Sequence, residues 1–238
     1  MKTNLPVTQR EYDYASDATL MSTTDTQSHI TYANAAFIEV SGFSREEIFG
    51  QSHNAVRHPD MPPEAFADMW ATIKSKRSWT ALVKNRRING DHYWVRANAT
   101  PIVRNGQITG YMSVRTKPAR QEVDAAERLY AQFRAGKAKN LAFHQGLVVH
   151  TGLGKWRSTL QIISVRARIR LGIVASVVIG AGLAALLAPL GLGIVGAVAP
   201  SLVAAVLASI WLEGQIATPL EHIQAQALQV AAGDTEEK

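Results

Sequence analysis

The chain has 238 residues, with 25 Lys and Arg against 19 Asp and Glu, a formal net charge of +6 and a sequence pI of about 9.7. It has no cysteine, which excludes disulfides, thiolate metal sites, cysteine nucleophiles and a photosensor built on a cysteinyl adduct. The basic balance leaves nucleic acid and an anionic membrane surface as partner classes, and the mean hydropathy of −0.04 averages over very uneven segments.

Residues 1–17 are polar and irregular and predict a loose N-terminal cap, with no apolar stretch long enough for a signal peptide. From Ala18 the pattern tightens. Thr19–Thr24 and His29–Ala33 are β-prone runs around the turn residues Asp25–Ser28, which predicts a hairpin. Asn34 is placed to cap a short helix that Gly42 ends. Ser44-Arg45-Glu46-Glu47 has the form of a capping box. Pro62 and Pro63 lead into a longer helix, where Phe66, Met69, Trp70 and Ile73 form one apolar stripe. Three alternating strands follow, Trp79–Arg86, His92–Arg104 and Ile108–Arg115, with Asn89-Gly90 and Asn105-Gly106 as turns. Arg86, Arg87 and Arg96 read as a solvated sheet edge. The order β-β-α-α-α-β-β-β predicts an α+β domain over 18–118: a five-stranded antiparallel sheet with flanking helices.

Residues 119–170 change character. Val123–Phe133 is helical by period, and the segment 128–170 holds nine Lys and Arg and no acid. This predicts a basic juxtamembrane linker. From Leu171 to Leu212, 42 residues carry no charged side chain. About 20 residues cross the hydrocarbon core, so the length suits two spans, near 171–188 and 194–212, broken at Ala188-Pro189-Leu190-Gly191. A transmembrane hairpin over 171–212 is expected, with Arg166, Arg168 and Arg170 holding its first end on the inner side. A soluble buried hairpin is the alternative, but soluble helices carry a polar face and these do not. Gly191-Leu192-Gly193-Ile194-Val195-Gly196 spells a dinucleotide fingerprint without the strand before it, and reads as small-residue helix packing. After the spans, residues 213–238 contain a Pro219-led helix with Leu220, Ile223, Ala227 and Val230 in a coiled-coil spacing.

The hairpin Thr24–Asn34, the capped helices and the strands with Asn89-Gly90-Asp91 resemble a PAS sensor domain. The likeness sharpens at Arg57-His58-Pro59-Asp60-Met61-Pro62, Ala65–Trp70, Val83–Arg87 and Asn89–Asn98. These segments resemble the aerotaxis receptors of proteobacteria, whose PAS domain binds FAD. The order of parts agrees: PAS, linker, membrane hairpin, then a first HAMP helix over 213–238. The resemblance implies a membrane-anchored redox sensor in the bacterial inner membrane, with PAS domain and both termini cytoplasmic. It implies a homodimer, electrons from respiratory chain components, and a chemotaxis histidine kinase with its coupling protein as partners. The family continues into a second HAMP helix and a long coiled coil that reach those partners, whereas this sequence stops at Lys238, so either it is a fragment or its output comes through another chain.

A flavin needs a flat apolar slot, polar groups at its pyrimidine edge and donors for its pyrophosphate. The resemblance carries flavin binding most directly onto Arg57, His58, Asp60 and Trp79, with Asn34, Asn85 and Tyr93 added. Arg57 suits phosphate, and His58 and Asp60 suit loop order or a hydrogen bond to the cofactor. Trp79 suits stacking on adenine or isoalloxazine, and the asparagines offer amide donors and acceptors. The alternatives are a haem gas sensor with His58 or His53 as axial ligand, and a cofactor-free interaction module. No enzyme signature is present: no H-E-x-x-H, no P-loop, no local Ser-His-Asp pattern, and the seven histidines are scattered rather than at metal spacing. No recognition helix or aromatic–basic stripe supports nucleic-acid binding. The positive charge is concentrated in the 128–170 belt, where it suits anionic lipid.

Overall fold

The computed structural model describes residues 4–187, 189, 191 and 198–211. It divides into two compact units, Met1–Lys155 and Trp156–Lys238. The HAMP helix expected over 213–238 and the proposed break at 188–191, apart from Pro189 and Gly191, lie outside the described residues.

The first unit opens with β1 (Leu20–Thr24) and β2 (Ile30–Ala33), then α1 (Ala35–Ser41) and α2 (Arg45–Ile48). A 3-10 turn at His53–Val56 precedes α3 (Pro63–Lys74), followed by β3 (Trp79–Arg86), β4 (His92–Arg104) and β5 (Gln107–Thr116). The strands pair antiparallel in the order β2-β1-β5-β4-β3. The caps form as their residue types dictate. Asn34 Oδ1 accepts from Phe37 N at 3.0 Å, and Ser44 and Glu47 close a reciprocal capping box. Asn105 and Gly106 both take positive φ, 50° and 75°, the pair of angles a two-residue turn needs to match strand twist.

One face of the sheet and the short helices enclose the core, with Leu20, Ile30, Phe37, Ile48, Trp79 and Tyr93 fully buried. The other face is covered by α4 (Arg120–Arg134). Val123, Ala126 and Tyr130 are its buried side. The Tyr130 ring stacks on Trp94 at 6.1 Å, and its hydroxyl donates to Leu82 O at 2.7 Å. Glu127 meets the buried Lys84 at 3.1 Å, and Glu122 pairs with Arg96. A second hairpin, β6 (Leu141–His144) with β7 (Leu147–His150), packs on α3 and reaches α4 through Phe133 and Phe143 at 4.7 Å. The compact unit therefore runs past residue 118, because the segment read as linker holds a helix and a hairpin with apolar faces of their own.

The N-terminal segment is packed rather than loose. Thr8 N donates to Gly90 O, Tyr12 N to His92 O, and Tyr14 Oη to Trp94 O at 2.9 Å. Arg86, expected at a solvated edge, is buried and donates to Leu5 O and Pro6 O, both at 2.9 Å. Arg87 lies over the Tyr12 ring at 3.7 Å. Arg86 thus satisfies carbonyls of an N-terminal segment that has few backbone partners of its own, while Arg87 donates to Val40 O at 2.9 Å and Glu39 O at 3.3 Å at the end of α1.

The second unit contains α5 (Thr159–Ile162), α6 (Val165–Leu187) and a further helix, α7 (Val198–Trp211). Within α6, Ala167–Leu186 is long and apolar enough to cross a membrane, and only 11% of its most apolar stretch is buried within the protein. A soluble core helix would be mostly covered. A Cβ on Gly180 would stand 2.9 Å from Ser201 Cα, so α6 and α7 pack backbone to backbone through a small residue, as membrane helices do.

Candidate functional site

Between the sheet, α3 and the 53–57 segment lies a cavity of about 670 Å³, within the range that holds a cofactor-sized ring system. Its apolar wall is Val56, Val83, Ala97 and Ala99 with Phe66, Met69, Trp70 and Ile73 of α3. The apolar stripe of α3 is thus largely a cavity wall. Trp70 meets Tyr111 edge-on at 5.4 Å. Exposed Gln27 and Ser52 mark where the cavity meets solvent.

Of the residues expected to bind a cofactor, three line this cavity: Arg57, Trp79 and Asn85. Arg57 is buried, donates to Met61 O at 3.2 Å and lies over the Phe66 ring at 4.3 Å. Burial lowers its pKa. Trp79 is buried, with its indole N–H on Asp68 Oδ2 at 2.8 Å. Asn85 is buried, and its Nδ2 has no hydrogen-bond partner among the described residues. Tyr93 stands opposite Asn85 across β3 and β4. Its hydroxyl adjoins the Asn85 amide without forming a good hydrogen bond, and burial pushes the phenol up to about 12, against the opposing effects of Arg115 and Asn85.

The other candidates stand elsewhere. Asn34 is fully used as a cap: it accepts from Met21 N and Phe37 N and donates to Thr19 O. His58 turns away from the cavity lining, with no side-chain exposure. Its Nδ1 accepts from Asp60 N at 3.1 Å, and its ring meets His92 at 5.6 Å. Burial depresses it to about 4, against the attraction of Asp60. Asp60 pairs with buried Lys84 at 2.9 Å. Burial acts to raise the Asp60 pKa, and the Lys84 hydrogen bond and charge outweigh it, so the net shift is downward. His58 and Asp60 therefore order the loop beneath α3.

Arg115 escaped sequence reasoning, and His53 entered it only as a candidate haem ligand. Arg115, at the end of β5, is buried and donates to Ser22 Oγ at 3.1 Å and to His53 Nε2 at 2.6 Å. Its guanidinium also lies over Phe37 at 5.1 Å. Burial lowers it to about 10. His53 is pushed down to about 3, by burial first and Arg115 second. It is neutral, and its Nε2 is taken by Arg115, which leaves that nitrogen unsuited to an axial iron bond. No cluster of three or more His, Asp or Glu among the described residues is placed to hold a metal.

A buried cation, an orphaned amide donor and an apolar slot flanked by Trp79 are the donor set an anion-forming, planar heterocycle requires. The residues present fit a flavin.

A five-stranded sheet with this order, short helices on one face and a cavity beneath them defines a PAS domain, and residues 30–115 match the PAS fold family. The chain is a homologue of the aerotaxis receptor of Escherichia coli (strain K12). The two are 49% identical over 228 residues, which is 96% of this chain and 44% of that receptor. It is also 28% identical over 95 residues to the nitrogen fixation regulatory protein of Klebsiella pneumoniae, covering 40% of this chain and 19% of that protein. Among solved structures, the dark structure of the blue-light photoreceptor Aureochrome1 LOV superposes with a TM-score of 0.42 at 20% identity, over 50% of this chain and 86% of that one. The chain spans less than half the length of these curated relatives.

Proposed function

We propose that the chain is the sensory and membrane-anchoring part of a redox sensor for aerotaxis, with FAD held in the PAS cavity. The observation that carries this reading is Arg115, a buried cation on the cavity wall that pairs with no carboxylate among the described residues. A charge so placed is costly unless something in the cavity uses it. When bound, flavin supplies reversible electron uptake. Arg115 would set a fixed positive charge against the ring, Asn85 Nδ2 would offer it a hydrogen bond, and Arg57 would provide a cation for phosphate. Phe66, Met69 and Trp70 exclude water from the slot.

The Ala167–Leu186 span supports membrane attachment. The bases at 128–170 support an inner-membrane topology with the PAS domain and both termini cytoplasmic. By the family resemblance a membrane hairpin over 171–212 and a HAMP helix over 213–238 follow the sensor, whose compact unit takes in residues 1–17 and much of 119–170 and ends at Lys155 rather than at 118. On the same basis the receptor is a homodimer, draws electrons from respiratory components and acts through a HAMP segment on a chemotaxis histidine kinase and its coupling protein.

The test is the absorption spectrum of the purified membrane protein in air and after dithionite. Bands near about 450 nm that bleach on reduction are expected from the cofactor's chemistry. A featureless visible spectrum after purification with added FAD overturns the reading, and a Soret band transfers it to haem.

A further inference from the structure

Asp68 of α3 is shared by two parts of the domain. Its Oδ2 accepts the Trp79 indole N–H at 2.8 Å, and Trp79 lines the cavity. Its Oδ1 accepts Gln145 N at 2.8 Å, and Oδ2 also accepts Gly146 N at 2.7 Å. Gln145 and Gly146 are the two residues of the β6–β7 turn, both with positive φ, 54° and 87°. That conformation points two successive amides at one carboxylate, forming a small anion nest. The turn sits hard against the start of β3, where a Cβ on Gly146 would collide with the Thr80 carbonyl oxygen. Only glycine lets the turn reach this position.

Three donors converge on a group that can only accept when ionised. None of the three contacts can change without altering the geometry of the other two. The β6–β7 hairpin is also the last sheet element before the chain continues into the unit that contains α6.

The geometry points to Asp68 as the residue that couples the cavity wall to the β6–β7 hairpin: a shift of Trp79 when the cavity cofactor changes state is passed through the carboxylate to the Gln145–Gly146 turn. This rests on the flavin-site reading for the identity of the input, but the Trp79–Asp68–hairpin coupling is a property of the chain itself. Asp68 is a positioning residue, not a ligand of the cofactor.

Amide hydrogen exchange on the full chain in lipid nanodiscs tests it. Asp68→Asn keeps the shape but places an NH₂ among donors, so Gln145 and Gly146 exchange about tenfold faster or more, while β5 amides such as Met112 stay protected. Trp79→Phe removes the indole N–H and leaves a ring, and the coupling predicts a several-fold change at the same two turn amides. In the flavin-loaded protein, dithionite reduction changes exchange at the turn, and Asp68→Asn abolishes that difference. Unchanged turn exchange in Trp79→Phe, with β5 protection intact, overturns the coupling, as does a redox difference that survives in Asp68→Asn. If Asp68→Asn loses β5 protection, Gly146→Ala replaces it. Coupling is reciprocal, so displacing the turn must move the ¹⁹F resonance of labelled Trp79, and an unmoved resonance overturns the proposal. Failure to bind flavin overturns the functional reading alone, because the Trp79→Phe and Gly146→Ala experiments still decide the coupling.

Discussion

Arg115 donates to His53 Nε2 at 2.6 Å, and each shapes the other. Burial and the guanidinium together keep His53 neutral. The neutral imidazole and Ser22 Oγ then hold the guanidinium in one orientation on the cavity wall without cancelling its charge. An aspartate in place of His53 would neutralise the site. The pair thus presents a fixed positive charge to whatever occupies the cavity.

The first prediction follows from that charge. A fixed cation favours electron uptake by a neighbouring ring, so its removal lowers the reduction potential of the flavin-loaded protein. A charge-assisted hydrogen bond lost in Arg115→Gln corresponds to a potential about 30–60 mV more negative for a two-electron couple. Spectroelectrochemical titration reads it directly. An unchanged or more positive potential would show that Arg115 does not face the ring.

The two asparagines separate fold from site. Asn34 spends its amide on the α1 cap and on Met21 and Thr19. Asn34→Ala is expected to lower unfolding stability by about 1 kcal/mol and leave the flavin content of folded protein unchanged. Asn85 Nδ2 lacks a partner among the described residues. Asn85→Ala is expected to weaken flavin retention about tenfold with a smaller effect on stability. Denaturation curves and flavin-to-protein ratios, measured together, distinguish the two.

The strands and short helices were legible because alternation, Asn-Gly turns and caps act locally. The sheet order and the α3 stripe were equally plain. The stripe's purpose was not, since Phe66, Met69 and Trp70 have the same spacing whether they face packed side chains or a cavity. Arg115 sits in an alternating strand, where an arginine ordinarily faces water, and only the closed domain shows it buried. His58 and Asp60 stand in the most distinctive motif of the chain, yet their side chains brace the loop from behind. The β6–β7 hairpin escaped notice because its strands have four residues each and its turn is Gln-Gly rather than Asn-Gly.

Buried histidines make the domain sensitive to acid. The His58 pKa falls from an ordinary 6.5 to about 4 because the folded site disfavours the charged form. Between those values the unfolded chain binds a proton that the folded chain does not, so stability is full above about pH 6.5 and declines as pH falls toward 4. The limiting slope is about 1.4 kcal/mol per pH unit for one such group. His58→Asn keeps an acceptor for Asp60 N and is expected to flatten the fall in thermal midpoint between pH 7 and pH 5. An equally steep fall in the variant would assign the acid sensitivity to His53 and His92, which shift in the same direction.

The span predicts its own sensitivity to charge. Val177 lies near the middle of Ala167–Leu186 and is 64% exposed. In a membrane that exposure is contact with lipid tails. An arginine at the centre of a span costs about 2.5–3.5 kcal/mol on the insertion scale. Val177→Arg is therefore expected to move a large fraction of the protein from carbonate-resistant membranes to the extractable pool. Arg168→Ala, at the flanking end, leaves the hydrocarbon span intact and is expected to keep the protein in the membrane. Equal extraction of Val177→Arg and the unaltered chain would mean that α6 does not cross the bilayer.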